Sequence, residues 1–154
     1  MKLSKDQGVA DLWWPYGPSV GRYTIKTTSD SLVQLVISDA RGAATPMHTH
    51  HDYDETWFVL SGEIEVFVGD ERFTARAGDF AFGPRGVPHA WMVVSETCEV
   101  LVTCNGPGLD AFFAEVAPAV GEGEKPAPQM PDAEDFARRM AAYGIELIGP
   151  PPAL

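Results

Sequence analysis

Four side chains hold most of the chemistry this sequence can do: His48, His50, Glu55 and His89. His48 and His50 are two apart, so in a strand they project to the same face. Glu55 follows five residues later, beyond a short polar stretch, and His89 belongs to a separate strand–turn–strand unit. Together the four can surround one divalent ion, and a mixed imidazole and carboxylate set suits first-row transition metals far better than calcium or magnesium. His51 has the opposite parity to His48 and His50 and reads as exposed or as support behind a ligand. Asp52 and Asp54 read as solvated turn residues.

The elements that must position these groups read mainly as β. From Tyr23 to Cys104 the chain is a series of short apolar runs broken by turns such as Ser61-Gly62, Gly69-Asp70 and Pro84-Arg85-Gly86. Many short strands at this spacing predict a sandwich or barrel. Strand parity assigns a lining to the same interior. If Glu55 faces inward, so do Trp57 and Val59; if His89 does, so does Trp91. Phe80 and Phe82 share a face and are expected to join that wall, whereas Phe58 has the outward parity. The expected pocket wall is therefore Trp57, Val59, Phe80, Phe82 and Trp91. Beyond Asn105 the pattern changes. Leu109 to Ala117 carries Phe112, Phe113 and Val116 at helical spacing. After a Pro/Gly/Glu-rich stretch, Asp132 and Asp135 open a second helix with the stripe Phe136, Met140 and Tyr143, ended by Gly144. The predicted organisation is an N-terminal arm over residues 1–22, a barrel core over 23–105 and a helical extension over 106–154 packed on the barrel.

Composition narrows the function classes. The chain has 154 residues, 45% of them hydrophobic, which suits one domain with a substantial core. Its 22 acidic against 11 basic residues give a net charge of −11. Such a surface repels phosphate backbones and anionic lipid, so neither nucleic acid nor a membrane is an expected partner. There is no membrane-length apolar run and no secretory leader pattern. Cys98 and Cys104 fall on one predicted strand about 20 Å apart, beyond disulfide reach, so free thiols and a cytoplasmic location are expected. Exposed strand edges and the arm from Asp11 to Tyr16 suggest a homodimer formed by strand exchange.

At the motif level the sequence resembles the cupin superfamily. Gly42, His48, His50, Glu55 and Gly62 match the first cupin motif at every fixed position, and Gly78, Pro84, Gly86 and His89 match the second. The Asn that often ends the second motif is replaced by Val93, which removes no metal ligand. Tyr23-Thr-Ile-Lys26, Phe112-Phe113 and Tyr143-Gly144-Ile145 further resemble small single-domain cupins similar to bacterial quercetin 2,3-dioxygenases. The resemblance implies a single jelly-roll β-barrel with one or two C-terminal helices. It also implies one divalent transition metal ion (Fe, Mn, Ni, Co, Cu or Zn) held by His48, His50, Glu55 and His89. Glu55 would double as the catalytic proton acceptor. The activity it implies is a dioxygenase consuming dioxygen and a small aromatic enol or polyphenol. A non-oxidative isomerase, decarboxylase or lyase is the alternative, favoured if Arg22 or Lys26 points into the pocket to meet a carboxylate. A non-catalytic metal- or small-molecule-binding cupin is a third reading. One fold hosts many chemistries, so the residues around the metal must decide.

Overall fold

The computed structural model describes residues 2–4, 7–121 and 123–153. Its strands are β1 (Ala10–Trp14), β2 (Gly21–Thr27), β3 (Val33–Ala40), β4 (Met47–His50), β5 (Glu55–Ser61) and β6 (Glu63–Val68). They continue as β7 (Glu71–Arg76), β8 (Phe80–Gly83), β9 (His89–Val93), β10 (Thr97–Cys104) and β11 (Ile145–Gly149). Two helices, α1 (Leu109–Val116) and α2 (Ala133–Ala142), separate β10 from β11. The strands form two antiparallel sheets, ordered β1-β2-β3-β10-β5-β8 and β11-β4-β9-β6-β7. This is the mainly β, jelly-roll plan that the two motifs imply. β11 has no counterpart in the sequence-based expectation; it pairs with β4, with Ile145 opposite His50 and Leu147 opposite His48.

Alternation explains the sheets. On β10, Cys98, Val100, Val102 and Cys104 are buried and the residues between them are not. On β6, Ile64 and Val66 face the core, while outward Glu63 and Glu65 pair with Arg76 and Arg72 on β7. The turn between β5 and β6 depends on Gly62, whose φ of 78° is costly for any residue with a Cβ. A Cβ there would also lie 2.2 Å from the Thr97 carbonyl oxygen.

The sequence-based parity fails at β8. Phe80 and Phe82 are 63% and 49% exposed, and Ala81 and Gly83 are the buried positions. Register supplies the reason: β8 lies against β5 with Ala81 opposite Trp57 and Phe80 opposite Phe58, and opposed residues share a face. Trp57 already fills the interior at that level. A Cβ on Gly83 would come within 2.5 Å of Trp57 Cη2.

β1 closes on its own chain, antiparallel to β2 from Ala10 opposite Ile25 to Trp14 opposite Gly21. Trp14 stacks on Tyr23 at 5.2 Å and meets Phe113 edge-on at 5.2 Å, so the inner face of β1 and β2 is covered by the helices. In α2, Asp132 caps the helix by accepting a hydrogen bond from the Asp135 backbone N–H at 2.9 Å, and Phe136 and Met140 are buried. No helix among the described residues is long and apolar enough to cross a membrane. Cys98 and Cys104 are buried, free thiols; burial pushes the Cys98 thiol up to about 12.

Candidate metal centre

β4, β5 and β9 deliver the four predicted ligands to one point. His48 and His50 project inward from β4, and His89 on β9 stands directly opposite His48. Glu55 opens β5 in the other sheet, beside Cys104 of neighbouring β10. One ligand atom from each of the four lies within 4.8 Å of every other, and all four residues are buried. Glu55 Oε2 is 2.9 Å from His50 Nε2, 3.2 Å from His89 Nε2 and 3.9 Å from His48 Nε2. His48 Nε2 is 3.2 Å from His50 Nε2.

Tautomers show what such a cluster needs. His48 Nδ1 lies 2.7 Å from the Pro46 carbonyl oxygen and His89 Nδ1 lies 2.9 Å from that of Val87. A carbonyl only accepts, so both rings carry a proton on Nδ1. In their neutral forms Nε2 of each is then a lone pair aimed at a carboxylate oxygen. Acceptors facing one another at these distances are stabilised by a cation between them, and outer carbonyls that orient ligand imidazoles in this way are characteristic of metal sites. The donor set therefore fits a transition-metal ion, with three imidazoles and one carboxylate at hand.

Electrostatics prepare the set. Burial on its own would raise the Glu55 carboxyl, but the three imidazoles gathered around it hold it well below the usual range. Burial lowers His50 despite the attraction of Glu55. The cluster thus favours an ionised carboxylate with neutral His50, the forms that bind a metal. His50 and His89 are wholly buried, and the residual exposure, 6% and 5%, lies on His48 and Glu55.

Of the expected wall, Trp57, Val59 and Trp91 are inward and buried, and the Trp57 ring stands 5.3 Å from that of His89. Phe80 and Phe82 lie on the outside and belong to no pocket around these ligands. Arg22 and Lys26 also point away from the centre, since Tyr23 and Ile25 take the inward positions of β2. Arg22 reaches Asp11, and Lys26 Nζ donates to the Ser4 carbonyl at 3.1 Å. His51 is at the surface, 2.8 Å from Glu146.

Two features escape the sequence reading. Tyr53 stacks on His50, with centroids 4.4 Å apart and planes at 28°; neither its hydroxyl nor Trp57 Nε1 finds a protein partner among the described residues. Tyr53 sits within the first motif, but loop residues have no parity from which to read direction. The second feature is a clamp. Asp54 is not merely solvated: Arg85 Nε and Nη2 donate to its two oxygens at 3.1 and 3.0 Å, and Asn105 Nδ2 donates to Oδ2 at 2.8 Å. Arg85 Nη1 also reaches the Asp52 carbonyl at 3.0 Å, and the Gly86 N–H reaches that of His50 at 2.8 Å. The hydrogen bonds from Arg85 hold the Asp54 carboxyl well below the usual range. Three segments bearing or adjoining ligands are tied together in this way, through residues far apart in the chain that no local pattern connects.

Comparisons with known proteins agree with this geometry. Residues 35–104 match the Cupin domain family. The chain is 34% identical over 125 residues to quercetin 2,3-dioxygenase of Bacillus subtilis (strain 168), which takes in 80% of this chain and 37% of that enzyme. This chain therefore spans little more than a third of that relative's length. It is 28% identical over 101 residues to the pectin degradation protein KdgF of Dickeya dadantii (strain 3937), covering 66% of this chain and 90% of that one. The crystal structure of TT1209 from Thermus thermophilus superposes with a TM-score of 0.54 at 26% identity, over 56% of this chain and 84% of that one. With both motifs folded into two facing sheets around a three-histidine, one-glutamate cluster, residues 35–104 of the chain match a cupin domain in sequence and in fold.

Proposed function

We propose that this protein is a metal-dependent dioxygenase acting on a small aromatic enol or polyphenol. The observation that carries the reading is the pairing of the His48–His50–Glu55–His89 cluster with an uncharged surround. Trp57 lies beside His89, Tyr53 stacks on His50, and the cationic candidates Arg22 and Lys26 sit on the far side of β2. Similarity to a quercetin 2,3-dioxygenase supports it. A bound metal would supply Lewis acidity and an attachment point for substrate oxygen. The residues do the rest. Glu55, held ionised, accepts the proton of a substrate hydroxyl, which leaves an electron-rich enolate for dioxygen. Approach is from the His48 and Glu55 side, where the cluster retains exposure. Trp57 Nε1–H and the Tyr53 hydroxyl are donors without protein partners among the described residues, and a substrate oxygen fits such groups. The buried thiols suit a reducing, cytoplasmic setting.

The second reading, a non-oxidative cupin enzyme with the metal as Lewis acid, is favoured by one observation: the match to KdgF runs over 90% of that protein. Oxygen uptake separates the two. Metal-loaded protein incubated with a panel of flavonols is expected to consume dioxygen in proportion to bound metal, with no turnover under anaerobic conditions. Absence of metal-dependent uptake across the panel rejects the dioxygenase, and anaerobic conversion of a pectin fragment would establish the alternative.

A further inference from the structure

The outer face of the six-stranded sheet carries an apolar patch that none of the site chemistry uses. Leu101 on β10 is opposite Phe58 on β5, and Phe58 is opposite Phe80 on edge strand β8; Val36 on β3, opposite Leu101, is already buried and bounds the row. The row crosses three strands, with Phe82 and Leu60 beside it. Phe58, Leu60, Phe80 and Phe82 are 39%, 38%, 63% and 49% exposed. At ~200 Å² per aromatic side chain, the three rings alone leave roughly 300 Å² uncovered, as much as the largest apolar patch on an ordinary monomer. A specific interface buries about 800 Å² per partner, with an apolar centre and a polar rim. Gln34, bonded to Thr103 across the strands at 3.2 Å, and Thr56 supply that rim.

We infer that this face is where two copies of the chain associate, back to back, about a two-fold axis. Charge singles out the occupant. The chain carries a net charge of −11, so a different protein selected to bind it would present basic groups to acidic ones. The outer face of β3, β5, β8 and β10 offers a single carboxylate, Glu99. Two identical acidic chains repel one another everywhere except where charge is missing, and this face is such a place. A two-fold contact is self-complementary by construction: the ring row of one sheet lies in the grooves of the other, at the ~10 Å spacing of packed sheets. Strand exchange is not needed, because β1 is already paired within its own chain. The association is independent of the reaction at the metal.

Sedimentation velocity on the full chain at about 10 μM tests this. Wild type is expected at twice the 16.7 kDa chain mass. Phe80→Glu and Phe82→Glu, both at exposed positions, are each expected to weaken the dimer by about a hundredfold, with metal content and circular dichroism unchanged. Met130→Glu is the control: Met130 is 77% exposed and lines a separate apolar groove of about 600 Å³ with Tyr16, Phe136 and Leu147. It is expected to leave the dimer intact. A monomeric wild type overturns the inference. A dimer indifferent to both phenylalanine substitutions, or dissociated by Met130→Glu, overturns it as well.

Discussion

Glu55 sets the behaviour of the centre residue by residue, because its carboxylate is the one charge among four buried ligands. His50 binds a proton less readily in the fold than in the unfolded chain, so its contribution to stability is present above about pH 6.5 and is lost as pH falls. Glu55 is also held ionised; its contribution is present above about pH 4.3 and is lost at lower pH still. Both signs agree: acid destabilises the metal-free protein. Acid also protonates imidazoles and so competes with metal. Metal is expected to stay bound at about pH 7.5 and to leave by about pH 5, with the melting temperature of the metal-free protein falling over the same interval. Elemental analysis after dialysis and thermal melts check the two parts. Metal retained in full at the lower pH, with an unchanged melt, contradicts the histidine-rich assignment.

The four candidate ligands meet at one point because short elements are tied to one another. β4 contributes only four residues, Met47–His50, too few to hold a geometry alone, and β11 flanks it on the open edge. The Arg85–Asp54–Asn105 clamp does the same for the loops. It is solvent-exposed, so as an ion pair it adds little to stability, yet it ties the loop ahead of Glu55 to the turn ahead of His89. Substitutions behind metal ligands typically cost about ten- to a hundredfold in affinity. Arg85→Ala is accordingly expected to weaken metal binding about tenfold while leaving the melting temperature of the metal-free protein nearly unchanged. Arg85→Lys should not restore it, because an ammonium cannot reproduce the two-pronged contact with Asp54. Competition with a chromophoric chelator measures both. Equal affinity in all three proteins would make the clamp irrelevant to the centre.

On the scale of the whole molecule, the helical extension covers β1 and β2, where the second sheet does not reach. Phe136 is 7% exposed and meets Tyr16 and Phe112 edge-on at 5.4 and 5.7 Å, joining α2 to the N-terminal segment and to α1. Phe136→Ala is expected to cost about 3–5 kcal/mol of stability. Metal stoichiometry should persist below the lowered melting temperature, since none of the ligands lies in this cluster. Denaturant unfolding with metal analysis of the folded fraction checks this, and a cost under about 1 kcal/mol would show that the helices are only loosely docked.

By itself the sequence pointed to the β class, the two helices and the faces that Glu55 shares with Trp57 and Val59 and that His89 shares with Trp91, and its two motifs pointed to the candidate ligands. The shared faces and the helices depend on spacing along one strand or one helix, and such periodicity carries that information directly. Only the tertiary structure decided the faces of Phe80 and Phe82, the pairing of β11 with β4 and the use of Asp54. Alternation says which residues share a face but not which face turns inward. At β8 the larger apolar pair looked like the inner one until the register with β5 placed Trp57 opposite Ala81. Volume already taken by a residue on another strand overrode local hydrophobicity, and the displaced phenylalanines became a surface instead of a pocket wall.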